Sequence, residues 1–158
     1  PSDTARKPFW TALMPIFIFG SIKKPLPFFS SGHHRKELSQ GFRLTTNNRM
    51  ELMAVCVALE TLKFEGSDVV IYSDSKYVVD AVSKGWVFGW VRKGFAGKKN
   101  PDLWMRFLRV YNRHNVRFVW VKGHAETVEN NRCDCLAVAA ANDKAHWLED
   151  TGYDPAER

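Results

Sequence analysis

The chain has 158 residues, 45% of them apolar and 25% charged, which is room for one domain with a real core and the composition of an ordinary soluble globular protein. No apolar run is long enough to cross a bilayer, and three cysteines, Cys56, Cys133 and Cys135, support neither a disulfide framework nor a zinc site. The net charge of +6 is uneven: positions 84–122 hold ten Lys/Arg against the single acid Asp102, an asymmetry that admits a polyanion partner as readily as a solvated helix face.

Residues 1–12 show no periodicity and read as a flexible leader, with a single domain over 13–158. Residues 13–19 form an apolar run of strand length. Pro25 and Pro27 forbid regular structure in 22–34. The alternation of Leu38, Phe42 and Leu44 predicts a strand over 35–44. Thr45, Thr46, Asn47 and Asn48 are capping residues ahead of a helix over 50–62. The β-branched run 69–72 predicts a buried strand, and 75–84 a helix closed by Gly85. Leu103, Phe107, Leu108 and Tyr111 lie on one face of a helix over 102–114. A strand over 116–121, an alanine-rich helix over 130–142 and a tail from 147 complete the chain. Strands alternating with helices in this way predict an α/β fold, a mixed sheet with helices on its faces.

Three acids stand in places where chemistry gathers. Asp74 directly follows the strand at 69–72, and functional groups of α/β sheets collect at the carboxyl ends of strands. Glu51 lies in the first turn of an otherwise apolar helix, and Asp134 lies inside another. Carboxylates from three elements can converge on a hard cation such as Mg²⁺, which prefers oxygen ligands. Each also has a structural reading. Glu51 is three residues after Asn48, the spacing of a capping box, and Asp74 could cap the helix near Ser75. Asp134 is costly to bury unpaired among Leu136, Ala137 and Ala140. His124, in a polar loop, is either a proton shuttle or a surface histidine.

The segments at 45–52 (TTNNRMEL), 72–78 (YSDSKYV), 102–104 (DLW), 120–125 (WVKGHA) and 129–134 (ENNRCD) resemble, in order, the signature segments of bacterial type 1 ribonuclease H. The resemblance covers about residues 36–153. It implies a ribonuclease-H-like fold with a five-stranded mixed sheet and endonucleolytic cutting of the RNA strand of RNA–DNA hybrids. Glu51, Asp74 and Asp134 then hold two metal ions, Mg²⁺ with Mn²⁺ as a substitute, and His124 assists product release and proton movement. Asn47 and Asn48 resemble the residues that contact the RNA 2′-hydroxyl and the DNA strand, and Lys76 stands where the family often has Gln. Asn130 joins this nucleic-acid-binding set, as do Trp86, Trp90, Arg92, Lys93, Lys98 and Lys99 of a short basic handle that Trp90 and Phe95 support. The partner is the hybrid, with no membrane contact, and the chain is expected to be a cytoplasmic monomer.

One departure matters. The family's first strand ends in Thr-Asp-Gly-Ser, whose aspartate bridges both metals; here the chain reads Ile18-Phe19-Gly20-Ser21. Phe19 in that place implies impaired metal binding and cleavage. Two other readings therefore stand beside the nuclease: a hybrid-binding domain of the same fold without catalysis, and another member of the wider superfamily such as an integrase or resolvase. The segments at 45–52 and 120–125 argue against the last.

Overall fold

The computed structural model describes residues 18–21, 39–62, 65–122 and 128–157, with 18–21, 128–130, 133–134 and 157 through their backbone alone. The expected leader, the Pro25–Pro27 segment and His124 lie outside the described residues. In chain order the elements are β1 (Ile18–Ser21), β2 (Phe42–Arg43), α1 (Asn47–Glu60), β3 (Asp68–Ser73), α2 (Lys76–Ser83), α3 (Trp86–Arg92), α4 (Pro101–Tyr111), β4 (Asn115–Trp120), α5 (Val128–Asn142) and β5 (Leu148–Glu149), with short 3₁₀ turns on either side of β5. No helix among the described residues is long and apolar enough to cross a membrane.

The sheet is mixed, as expected. β3 is its centre, antiparallel to β1 and parallel to β4. The expected single five-stranded sheet is not what the described residues form: β2 and β5 pair separately, in parallel, as a two-stranded ribbon. β2 is also much shorter than the strand expected over 35–44. Alternation along β3 buries Val69, Ile71 and Ser73 and leaves Tyr72 exposed, the pattern of a strand packed on one face. In β1, Phe19 lies opposite Val70. Val70 precedes Asp74 by four residues, roughly 13 Å of extended chain.

α1 is buried on nearly every face: Met50, Leu52, Val55, Cys56 and Leu59 are almost fully enclosed, which marks a central core helix rather than an amphipathic surface one. Its N-cap is Thr46, whose hydroxyl accepts from the Arg49 amide at 3.3 Å. α4 packs across it through Leu103, Trp104, Phe107 and Val110. Trp104 is wholly buried and donates its indole N–H to the Tyr77 hydroxyl at 2.9 Å, so its one polar atom is satisfied. Cys56 is enclosed in the same core, and burial pushes its thiol up to about 12, which makes it inert.

Inside this apolar packing sits one cation. Arg49 is buried at the start of α1 and grips two carboxylates from distant segments. It meets Asp102 through two bonds of 2.9 and 2.7 Å, and Asp150 through two of 2.7 and 3.0 Å. The Thr45 hydroxyl donates to the same Asp150 at 2.6 Å. Burial alone would lower the Arg49 pKa, but the hydrogen bonds to both carboxylates hold it above the ordinary value; Arg49 in turn holds the Asp102 carboxyl below its usual range. Gly152 lies against this cluster so closely that a Cβ there would collide with the Asp102 carboxylate. Removing one partner of a buried ion pair leaves the other uncompensated. Arg49→Met is therefore expected to destabilise the fold by about 3–5 kcal/mol, read as a lower urea midpoint, and Gly152→Ala to lower the same midpoint by displacing Asp102.

Candidate active site

One of the three predicted acids, Asp74, stands just past the carboxyl end of β3. β3 ends at Ser73, and the turn that follows presents Asp74. The Ser73 hydroxyl accepts from the Ser75 amide at 3.1 Å, and the Ser75 hydroxyl caps α2 by accepting from Val78 N–H at 3.4 Å. Ser75 thus supplies the cap in place of Asp74, which is released from that structural role. The turn is fastened to the neighbouring strand twice. The Val121 amide donates to the Ser73 carbonyl at 3.0 Å, and the Trp120 indole N–H donates to the Asp74 carbonyl at 3.2 Å.

Glu51, on α1, lies close enough to Asp74 for the charge of one to act on the other. Because the helix is capped by Thr46, residue 49 and not 51 holds the third helical position. The capping-box reading of Glu51 with Asn48 is therefore overturned, and so is its placement in the first turn: it stands in the second, with only 7% of its surface exposed. Burial pushes its carboxyl up to about 7, and the nearby negative charge of Asp74 pushes it the same way. A buried carboxylate facing a second carboxylate is destabilised as an anion. That is the electrostatic condition a hard cation relieves.

The other predicted residues fall in three groups. Asp134 and Asn130 belong to α5, with side chains outside the described residues. Asn47 and Asn48 form the first, exposed turn of α1, on the helix that carries Glu51. Lys76 opens α2 and is exposed, its ammonium 5.0 Å from the centre of the Trp120 ring. Among the described residues no cluster of three metal-ligating side chains forms, and Glu51 and Asp74 are the two predicted acids that come together.

The basic segment is more ordered than its composition foretold. It contains a helix, α3, that no local signal announced, because it starts from the left-handed Gly85 without a side-chain cap and contains Gly89. Trp86 is 49% exposed beneath the Lys84 ammonium at 4.9 Å. Trp90 is half-buried, edge-on to Trp104 at 5.8 Å, with Lys98 over its ring at 5.1 Å. Phe95 is buried, as its expected supporting role requires. Arg92, Lys93, Lys98 and Lys99 are exposed. Sequence reasoning missed Arg49 altogether; the available signal was a lone arginine in an apolar helix and a lone acid, Asp102, in a basic segment.

The family model described as RNase H matches residues 24–142. A ribonuclease H of Desulforamulus reducens is 59% identical over 113 residues, covering 68% of this chain and 70% of that protein. A ribonuclease H of Syntrophus aciditrophicus is 50% identical over 127 residues, covering 77% and 72%. Among solved structures, LC9-RNase H1, described as a type 1 RNase H with the type 2 active-site motif, is similar with a TM-score of 0.59 and 36% identity over 65% of this chain. The matched region spans about half, 51%, of that structure. The prototype foamy virus protease–reverse transcriptase, at 17% identity and a TM-score of 0.60 over 90% of this chain and 22% of its own, shares the fold.

The Glu51 shift has a definite sign. Its folded-state value, about 7, lies above the ordinary 4.5, so the folded state holds the proton more tightly between those pH values and stability falls as pH rises through them. The penalty is complete above pH 7 and is at most about 3 kcal/mol. In chelator, the wild-type unfolding free energy is expected to drop from pH 5 to pH 7.5, and Glu51→Gln to flatten most of that drop. Urea titrations at the two pH values check it.

Proposed function

This chain belongs to the RNase H family, and on that premise we propose that it hydrolyses the RNA strand of RNA–DNA hybrids endonucleolytically, leaving 5′-phosphate ends, with divalent metal ions as cofactors. The observation that carries the reading is the buried Glu51 within electrostatic reach of Asp74, the acid that follows the carboxyl end of β3. An oxygen-only donor pair with mutual repulsion suits Mg²⁺, with Mn²⁺ as a substitute. When bound, two such ions supply the charge that activates an attacking water and stabilises the leaving 3′-oxygen.

The protein's own residues divide the remaining work. Glu51, Asp74 and Asp134 are the ligands in this reading, and the rigid α1 and the fastened β3 turn hold the first two in place. Asn47 and Asn48 present amide groups able to bond the 2′-hydroxyl, which alone separates RNA from DNA at a cut site. His124 carries a proton to or from the leaving group, and Asn130 binds the hybrid. Lys76, Arg92, Lys93, Lys98 and Lys99 attract phosphates without choosing sequence, and Trp86 and Trp90 bind beside them as the aromatic supports of that charge. The same reading makes the chain a cytoplasmic monomer whose partner is the hybrid and not a membrane.

Phe19 favours a second reading. It offers no oxygen to a metal, and its backbone pairs with Val70, four residues short of Asp74. A chain that keeps its hybrid-binding surface with three carboxylates is a binder with weak catalysis. A labelled RNA–DNA hybrid incubated with Mg²⁺ or Mn²⁺ distinguishes the two. The nuclease reading expects cleavage that Glu51→Gln and Asp74→Asn each reduce on the order of 10³-fold or more. Binding without cutting establishes the second reading, and cleavage that survives both substitutions sinks the proposed site.

A further inference from the structure

Trp120 is an exposed aromatic whose surroundings ask for an explanation. It closes β4, pairs with Ser73 in register, and leaves 46% of its surface in solvent. Packing therefore uses only part of the side chain. Yet both of its chemical faculties are used. The N–H donates to the Asp74 carbonyl at 3.2 Å, and the ring face carries the Lys76 ammonium at 5.0 Å. The two groups it holds are two residues apart in one turn, one an acid of the candidate site and the other a cation.

Each contact has a physical consequence. The indole bond spans β4 and the β3–α2 turn, and with the Val121 amide bond to the Ser73 carbonyl it makes two adjacent ties across the strand ends. Two ties restrict how the backbone carrying the Asp74 carboxylate can rotate. Lysine is otherwise a flexible point charge with large rotamer entropy, and an aromatic face that attracts the ammonium reduces the conformations it samples. Lys76 opens α2 beyond its Ser75 cap, so its charge is displayed beside the Asp74 turn.

We propose that Trp120 is a positioning residue that serves both ends of the reaction centre: its N–H fixes the backbone of Asp74, and its ring holds Lys76 as a cation for a backbone phosphate of the nucleic acid next to that carboxylate. The phosphate half rests on the function proposed above; the Asp74 half does not need a nucleic acid. The lysine takes part through charge and the tryptophan through geometry, so the two roles separate by substitution.

Three variants test it on the full chain: Lys76→Gln, which removes the cation and keeps the indole bond; Trp120→Phe, which keeps a ring and removes the N–H; and Trp120→Leu, which removes both. Two readouts are needed. One is the affinity for a short RNA–DNA hybrid in chelator as a function of NaCl. The other is the Mn²⁺ concentration at half-maximal rise in melting temperature, without nucleic acid. Lys76→Gln is expected to reduce the slope of log affinity against log salt by about 0.9, the loss of one phosphate contact. Trp120→Phe is expected to keep that slope and to raise the Mn²⁺ midpoint about 3- to 10-fold, the effect of one lost orienting hydrogen bond. Trp120→Leu is expected to show both changes. An unchanged slope in Lys76→Gln overturns the phosphate role, and an unchanged Mn²⁺ midpoint in Trp120→Phe overturns the positioning role. A wild type that fails to bind hybrid at low salt overturns the proposed function and the phosphate role with it, while the Mn²⁺ midpoint still decides the Asp74 role.

Discussion

Burying a guanidinium costs several kcal/mol unless its charge is balanced and its donors are met, and Arg49 achieves this only by drawing two remote segments together. Asp102 arrives from the first turn of α4 and Asp150 from the segment after β5, 53 and 101 residues away in sequence. The cost makes the arrangement selective: any packing that separates α1, α4 and the C-terminal segment strands a charge. Arg49 also sets the rotation of α1. Residues two apart on an α-helix point about 200° from one another, so fixing Arg49 on the side of Asp102 and Asp150 turns Glu51 to the other side, where Asp74 lies. The ion cluster and the candidate site are opposite faces of one helical turn.

The two faces are electrostatic opposites as well. Around Arg49 every charge has a partner, and both the arginine and Asp102 are stabilised in their ionised forms. Around Glu51 burial and Asp74 act together against ionisation. Strain of the second kind persists only where the surrounding structure imposes it, and functional sites are among the places where it gathers. The rigid, fully compensated face supplies the stability against which the uncompensated face is held.

Much of this was legible in the sequence, and the parts that were not share a cause. α1, β3, α2, α4, β4 and α5 all follow from local signals: the capping residues at 45–48, the β-branched run at 69–72, Gly85 after α2, the apolar stripe through Leu103 and Phe107. Resemblance singled out Glu51 and Asp74, and the fold brings them together. What escaped depends on contacts between distant residues or on very short elements. Arg49 is a partner of residues far along the chain. β5 is two residues long and exists because Leu148 N–H finds the Gly41 carbonyl at 3.0 Å. The assignment of Glu51 to a capping box failed because the sequence offers four consecutive capping residues at 45–48, and only the backbone decides that Thr46 is the one that caps.

The basic surface shows why composition alone left its meaning open. Its lysines are exposed, as a solvated face would have them, but three of them sit over indole rings: Lys76 on Trp120, Lys84 on Trp86 and Lys98 on Trp90. An ammonium gains little from an exposed ring, about 0.5–1 kcal/mol, so these pairs add little stability. Their effect is to place charge. α2 separates the first pair from the second, and eight helical residues span about 12 Å. A cation beside the Asp74 turn and a second group of cations beyond α2 are two separate points of positive charge, and two points on a rod fix its direction as well as its position.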